Sequence, residues 1–232
     1  MVMQLTLPIQ PPDANTFENF YTSPPNALLI HYLKLFSAKQ GEPYLYLWGN
    51  PGAGCTHLLQ ASCHAAQQHG FAVAYLPLTV LQKTNGPEIF DGLDTLDMIC
   101  LDDVESIAHS AYWQEALFHF YNRLQEQGKY LLIAAKCSPR QLEFSLLDLV
   151  SRLSSGVLFQ LYELEDSERY VAFQARAHAR GLELTQEVGQ FLFLRLPRHA
   201  KAVFAALERL DKETLSLKRK LTIPLVKTLL DL

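Results

Sequence analysis

A short glycine-rich stretch limits the fold of this chain more than any other feature of its sequence. The apolar and aromatic run 44–48 is followed by Gly49, Gly52 and Gly54, and Thr56 then opens a helical pattern. A strand that passes through such a turn into a helix presents backbone N–H groups to phosphate, and its signature is G-x-x-x-x-G-K-[ST]. The stretch therefore predicts a phosphate-binding loop in an α/β fold.

The candidate nucleotide-binding residues run without a gap through this loop and into the first turn of the helix. They are Gly49, Asn50, Pro51, Gly52, Ala53, Gly54, Cys55, Thr56 and His57. We expect their backbone N–H groups and the positive end of the helix dipole to hold a diphosphate. Thr56 adds a hydroxyl of the kind that holds Mg²⁺.

Cys55 stands where this pattern requires a lysine. Loss of one charge-assisted contact costs about 1.5 to 3 kcal/mol, which weakens hydrolysis more than diphosphate binding. A thiol at a helix amino terminus can instead serve as a nucleophile, because its pKa is lowered there. His57 is close in sequence, but residues two apart on a helix do not face each other. We interpret Cys55 as a lost lysine and keep the nucleophile as the alternative.

Five short apolar runs alternate with helical stretches, which predicts a parallel sheet buried on both faces. The runs are 44–48, 73–77, 98–103, 130–135 and 157–161. The third run ends in Asp102 and Asp103, so a carboxylate at the end of a buried strand can hold Mg²⁺ through water, as in the Walker B motif. A glycine turn that binds nothing is the alternative. The presence of both motifs on the expected elements favours a nucleotide site.

The rest of the chain divides into an arm and a helical region. Five prolines, Pro8, Pro11, Pro12, Pro24 and Pro25, exclude a regular helix from the first 25 residues. A first helix is expected from a cap at Asn26 to a stop at Gly41, and a long helix 112–127 should stop at Gly128. Helices alone are expected near 167–180, 185–196, 198–210 and 222–231. The predicted parts are an arm 1–25, an α/β domain 26–164 and a helical domain 165–232.

The arm opens with the alternating segment "QLTLPI". By itself this pattern fits an edge strand or an extended peptide ligand. In the second case Gln4 offers an amide while the other members of the segment fill an apolar groove. Those members are Leu5, Leu7, Pro8 and Ile9.

Composition excludes several classes of protein. A net charge of -4 gives no general electrostatic reason to bind DNA, so we expect any contact with DNA to be indirect. The four cysteines form no C-x-x-C pair, which argues against a zinc site or a disulfide framework. No basic leader or membrane-length apolar run occurs, and a cytoplasmic location without membrane contact is therefore expected.

The order of the motifs resembles that of an AAA+ domain, because Arg152 precedes the fifth strand and Arg198 lies in the helical region. From Thr16 to Leu232 the chain resembles the AAA+ region of DnaA, the bacterial initiator, and most resembles the Hda family. The segments that carry the resemblance are "QLTLPI", "TFENFYTSPPNALL", "YLYLWGNPGAG-THLL", "ICLDDVESIA", "SPRQL", "DLVSRL" and "LKRKLTIPLVK". It implies a P-loop NTPase-type, five-stranded parallel sheet with a small carboxy-terminal helical lid. The initiator's double-stranded-DNA-binding domain is expected to be absent.

The resemblance also implies roles for individual residues. Arg152 matches the arginine finger that is offered to the nucleotide of a neighbouring subunit. Arg198 matches the sensor 2 arginine, and Phe20 and Asn26 lie in the segment that approaches the adenine. Lys136 stands near the sensor 1 position, where relatives carry a small polar or acidic residue.

The function that follows from the resemblance is negative regulation of replication initiation. We expect an ADP-bound AAA+ protein whose "QLTLPI" segment binds the DNA-loaded β sliding clamp, and whose Arg152 stimulates hydrolysis of DnaA-bound ATP in trans. Mg²⁺ would be held indirectly by Thr56 and Asp102. The chain would not be an enzyme on its own, and a homodimer or higher oligomer is expected. The alternatives are an ATPase of the helicase-loader type and a nucleotide-free adaptor that binds DnaA.

Overall fold

The computed structural model describes residues 15–179, 181–196 and 221–230, together with 203, 206, 207, 209–211 and 213. Six predicted site residues lie outside the described residues. They are Gln4, Leu5, Leu7, Pro8, Ile9 and Arg198.

Five parallel strands form one sheet in the order β2-β3-β4-β1-β5. Their bounds are β1 Tyr44–Trp48, β2 Val73–Pro77, β3 Met98–Asp102, β4 Tyr130–Ala135 and β5 Val157–Gln160. The five predicted strands are confirmed, with β3 and β5 each ending one residue earlier than predicted. The predicted α/β class with a five-stranded parallel sheet is confirmed with them, because short apolar runs of this kind form strands only when both faces of the sheet are covered.

Helices cover the sheet and then form a separate lid. Those of the α/β domain are α1 Ala27–Ser37, α2 Cys55–Gln68, α3 Leu78–Thr84, α4 Ala111–Glu126 and α5 Leu147–Leu153. Those of the lid with complete bounds are α6 Asp166–Ala179, α7 Gln186–Arg195 and α8 Ile223–Leu230, and the described residues between 203 and 213 are also helical. Short 3-10 turns occupy Pro24–Asn26, Pro87–Phe90, Leu93–Thr95, Val104–Ile107 and Pro139–Gln141.

The sheet separates two hydrophobic clusters, and β3 contributes to both. Ile99 and Leu101 pack into the cluster beneath α3, α4 and α5, while Met98 and Cys100 pack into the cluster beneath α1 and α2. All five residues of β3 are buried. Successive side chains of a strand point to opposite faces, so β3 is anchored in both clusters. This anchoring holds Asp102, its last residue, in a defined position.

Two helix ends test the sequence predictions. Helix α4 ends at Glu126, and Gly128 adopts a left-handed φ of 63°, as predicted. Helix α1 ends at Ser37, before the predicted stop at Gly41, because Lys39 already leaves the helix with a φ of 54°. Asn26 occupies the amino-terminal cap position of α1, but its side chain makes no capping hydrogen bond. Within the part of the chain that the structure describes, no helix combines the length and apolar character needed to cross a membrane.

Candidate functional site

The glycine loop leaves the carboxyl end of β1, between β4 and β5. The Gly49 N–H donates to the carbonyl of Ala135, 3.2 Å away, and ties the start of the loop to β4. Gly52 and Gly54 have φ values of 92° and 115°, a region that residues with a side chain rarely adopt. The Gly54 carbonyl accepts from the N–H of Leu58 at 3.0 Å, which begins α2. The backbone itself therefore requires glycine at these two positions.

Two glycines of the loop are also closely covered. A Cβ atom at Gly49 would lie 2.9 Å from the carbonyl oxygen of Leu161, and one at Gly54 would lie 2.9 Å from the ring of Phe20. Leu161 directly follows β5, and Phe20 belongs to the segment before α1. The loop is therefore packed between these two segments, and Phe20 lies directly against it.

Asn26 connects the start of α1 to the chain that follows β5. Its Nδ2 donates to the carbonyl of Tyr162 at 2.9 Å, and its Oδ1 accepts from the N–H of Tyr162 at 3.0 Å. The same Nδ2 donates to Ser23 Oγ at 2.9 Å. Both ends of the Asn26 amide are thus used within the protein, which explains why this side chain does not cap α1.

His57 is buried on α2, and its side chain holds the segment before α1. Its Nε2 lies 2.9 Å from the carbonyl oxygen of Thr16, and its ring meets that of Phe20 edge-on at 5.1 Å. Burial lowers the pKa of His57 to about 4, so the neutral ring donates to Thr16 at neutral pH. A contact of His57 with phosphate would therefore come from its backbone N–H.

The lid reaches the same segment through a buried arginine. Arg176 of α6 is 6% exposed, and its guanidinium donates to Asn15 Oδ1 at 3.0 Å and to the Asn19 carbonyl at 3.4 Å. Asn15 also donates to Gln60 Oε1 of α2 at 2.7 Å. Residues 15–20 therefore connect the helix of the glycine loop with the first helix of the lid.

Cys55 does not have the properties of a nucleophile. Burial raises the pKa of its thiol to about 12, and the negative charge of Asp102 adds to this effect. The sequence argument expected the helix amino terminus to lower this pKa, but desolvation outweighs the helix dipole. A raised pKa argues against the nucleophile alternative, and Cys55 places a neutral thiol where the motif requires a cation.

Asp102 ends β3 as a buried carboxylate that is 3% exposed. The hydroxyl of Tyr75 donates to its Oδ2 at 2.7 Å, and the Thr56 hydroxyl acts on the same carboxylate. Burial raises the pKa of Asp102, and these two hydroxyls oppose the rise. The structure thus brings together Thr56 and Asp102, the two residues that the sequence assigns to Mg²⁺.

Asp103 and Lys136 form a second charged group beside the first. Asp103 leaves the strand with a φ of 55° and accepts from Thr79 Oγ1 at 2.9 Å. Lys136 Nζ lies 3.6 Å from Asp103 Oδ1 and 2.6 Å from Glu105 Oε1. The contact with the Glu105 carboxylate raises the pKa of Lys136. A lysine cation therefore faces the two carboxylates that follow Asp102.

Arg152 lies in the last turn of α5, at the opposite end of the sheet from the glycine loop. It lines a small cavity together with Tyr44, Tyr121 and Gly156. Tyr44 begins β1 whereas the loop leaves its far end, a separation of about 13 Å along the strand. Arg152 is exposed, and within the described part of the chain its guanidinium makes no ion pair. It is therefore not placed to reach the phosphate loop of its own chain.

Sequence reasoning missed several residues that support these groups. They are Tyr75, Thr79, Glu105, Leu161 and Arg176. Glu105 could have been found, because a third acid two residues after Asp103 is visible in "LDDVES". The others carry no signal in the sequence, since their roles depend on which strands are neighbours.

Comparison with known proteins connects this geometry to a family. Residues 12–160 match the family model described as the bacterial DnaA ATPase domain. The chain belongs to this family of DnaA-related AAA+ proteins. Residues 166–230 match a second model, described as the lid domain of Hda. The Hda-like resemblance is confirmed, and the chain has a role in DNA replication related to that of DnaA.

Solved structures agree with this assignment. Domain III of DnaA from Thermotoga maritima is 25% identical, with a TM-score of 0.76, over 94% of this chain and 95% of that one. AMPPCP-bound DnaA from Aquifex aeolicus is 27% identical, with a TM-score of 0.69, over 86% of this chain and 65% of that one. The RuvB branch-migration motor of Thermotoga maritima, at 15% identity and a TM-score of 0.67, covers 96% of this chain and 72% of that one. It is similar in fold alone.

Proposed function

We propose that this AAA+ protein is a negative regulator of replication initiation that acts on ATP-bound DnaA. In this proposal the chain holds ADP, its amino-terminal segment "QLTLPI" binds the DNA-loaded β sliding clamp, and Arg152 promotes hydrolysis of the ATP on DnaA. Membership of the DnaA-related family supports DnaA as the partner. Two related AAA+ domains can associate with each other through the same surfaces that each uses to associate with identical subunits.

The position of Arg152 is the observation that carries this proposal. Its exposed guanidinium lies at the amino end of β1, away from the loop at the other end of that strand. An arginine finger supplied in trans neutralises charge that develops on the γ-phosphoryl group and contributes about 10³ to 10⁵ in rate. A planar, exposed cation that cannot serve its own site is suited to serve the site of a neighbour.

The chain's own site fits a diphosphate better than it fits a site of rapid hydrolysis. The bare backbone of Gly52 and Gly54 and the first turn of α2 supply N–H groups for phosphate. Thr56 and Asp102 would hold Mg²⁺, which neutralises charge on bound phosphates. Cys55 supplies no cation for a terminal phosphate. A bound diphosphate would order the loop, and through residues 15–20 it would also stabilise the position of the lid.

The decisive experiment measures single-turnover hydrolysis of ATP preloaded on DnaA, with β clamp loaded on DNA. Wild-type chain should stimulate this hydrolysis, whereas Arg152→Ala should reduce the stimulation by at least 10³-fold. Arg152→Lys should not restore it, because lysine cannot reproduce the bidentate fork of arginine. The variant proteins should keep the melting temperature and the clamp binding of the wild type, since Arg152 is exposed.

Arg140→Ala is the matched control for this experiment. Arg140 is also exposed and carries the same charge, but it follows β4 at the other end of the sheet. The Arg140→Ala variant should stimulate hydrolysis of DnaA-bound ATP as the wild type does. Full stimulation by Arg152→Ala would refute the arginine-finger role of Arg152 and favour the nucleotide-free adaptor. Rapid ATP turnover by the isolated wild-type chain would favour the helicase-loader type of ATPase, and purified chain without nucleotide would favour the adaptor.

A further inference from the structure

Lys136 brings a cation to the candidate site from a strand other than that of the glycine loop. It directly follows β4, whose last residue, Ala135, pairs with Trp48 at the end of β1. The two strand ends are neighbours, so Lys136 and the glycine loop share the same edge of the sheet. This inference rests on the proposal that the chain's own site holds a nucleotide, and it concerns what that site does with a triphosphate.

The contacts of Lys136 are all with the acids that follow β3. Its ammonium lies 2.6 Å from Glu105 Oε1 and 3.6 Å from Asp103 Oδ1. Its backbone N–H donates to Glu105 Oε2 at 3.3 Å. The second oxygen of Asp103 accepts from Thr79 at 2.9 Å. The Lys136 ammonium therefore pairs with Glu105 and lies within ion-pair distance of Asp103, whose other oxygen accepts from Thr79.

These two carboxylates follow β3 at the same edge of the sheet from which the glycine loop leaves β1. The side chains of Asp103 and Glu105 are 33% and 20% exposed. Together with Asp102 they make up the negative charges that act on the Cys55 thiol, in addition to its burial. A charge that acts on the loop is close enough to act on a phosphate held by that loop.

Hydrolysis is assisted by a carboxylate that can accept a proton from the attacking water. The oxygen of a water forms a bond to the γ-phosphorus, the bond to the bridging oxygen breaks with its electron pair remaining on ADP, and the proton of the water passes to a base. A carboxylate with a cation beside it takes up this proton less readily, because the cation stabilises the charged form of the carboxylate. Lys136 lies beside both Asp103 and Glu105, and the Thr79 hydroxyl also fixes the orientation of Asp103.

We propose that Lys136 is a positioning residue that blocks hydrolysis at the chain's own site by holding Asp103 and Glu105 away from the attacking water. The site then has two independent defects, one at Cys55 and one at Lys136. Restoring lysine at position 55 alone gives a chain that binds ATP more tightly but still hydrolyses it slowly. Removing the Lys136 cation as well releases the two carboxylates and raises turnover.

The test compares Mg-ATP turnover by three isolated proteins. They are Cys55→Lys, Cys55→Lys with Lys136→Asn, and Cys55→Lys with Lys39→Asn. Lys39 pairs with Asp97 at 3.0 Å, beside the amino end of β3. Its replacement therefore breaks a comparable ion pair at the end of the strand that is remote from the glycine loop. Binding of a fluorescent ATP analogue and thermal melting are measured for each, so that turnover is compared per bound nucleotide.

The Lys136 double variant should turn over at least tenfold faster than the other two proteins, since general-base assistance contributes about 10² to 10⁴. The proposal is wrong if the double variant does not exceed Cys55→Lys by tenfold, whether both are fast or both are slow. A double variant slower than Cys55→Lys would show instead that Lys136 assists the phosphate. DnaA is absent from this assay, so its outcome is distinct from that of the Arg152 experiment.

Discussion

The candidate site has a phosphate side, formed by the glycine loop, and a carboxylate side, formed by Asp102 and the two acids that follow it. The two sides differ in which features of a nucleotide-hydrolysing site they retain. On the phosphate side the backbone frame is intact, with Gly52 and Gly54 in left-handed conformations, but Cys55 supplies no cation. On the carboxylate side the buried Asp102 is in place, but Lys136 adds a cation that holds the next two acids. Backbone N–H groups bind phosphate without any side chain, whereas hydrolysis depends on charged side chains. Binding and hydrolysis can therefore be lost separately.

The largest expected effect comes from the backbone frame. Gly54→Ala places a Cβ 2.9 Å from the Phe20 ring at a φ of 115°. We therefore expect the free energy of unfolding to fall by about 3 kcal/mol. We also expect the variant to lose ADP binding. Gly70→Ala is the matched control, because Gly70 follows the other end of α2 with a φ of 81° and nothing within 4 Å of its Cβ position. It should cost about 1 kcal/mol and leave ADP binding intact. Urea unfolding and ADP titration measure both. Equal losses of ADP binding would mean that the loop frame is not the binding element.

An intermediate effect is expected from the pH dependence of two buried groups. His57 faces the Thr16 carbonyl and the charge of Arg176, and its pKa of about 4 in the folded state lies below its ordinary 6.5. The folded state therefore binds fewer protons than the unfolded state between these values, and stability falls as the pH falls through this window. Asp102 behaves in the opposite way, since its pKa is raised above 3.8 and its burial costs stability as the pH rises.

Two variants separate these contributions. His57→Gln, which keeps a donor for Thr16, should reduce the loss of unfolding free energy between about pH 7 and pH 4 by a few kcal/mol at most. Asp102→Asn should make the same loss larger, because it removes the group that gains stability in acid. Urea unfolding at several pH values measures both slopes. If both variants changed the slope in the same direction, one of the two assigned environments would be incorrect.

The smallest effect is expected from the ion pairs themselves. Lys136→Asn and Lys39→Asn should each change the free energy of unfolding by about 0 to 1 kcal/mol, because pairs at the surface are screened by water. Lys136 is 53% exposed and Lys39 is 28% exposed. Chemical denaturation at low and high salt measures the difference. A loss above about 2 kcal/mol for Lys136→Asn would show that this pair supports the fold, and the contrast between the two sides of the site would then need another explanation.

The sequence by itself determined the local elements. The five strands, the glycine loop and the stop of α4 at Gly128 follow from short apolar runs and from glycine, and these signals depend only on neighbouring residues. The loss of the lysine at Cys55 and the placement of Arg152 before β5 could be predicted in the same way. The roles of Gln4, Leu7 and Arg198 remain sequence predictions, since these residues lie outside the described part of the chain.

Only the tertiary structure decided the charges and contacts between elements. The order β2-β3-β4-β1-β5 places β4 between β1 and β3, which brings Lys136 to Asp103 and Glu105. The same packing buries Cys55 deeply enough to raise its pKa where a local rule predicts a fall. A pKa and an ion pair depend on groups far apart in the chain, and strand order is a property of the whole sheet. This is why the motifs of the site could be predicted locally, whereas the electrostatics that decide its chemistry could not.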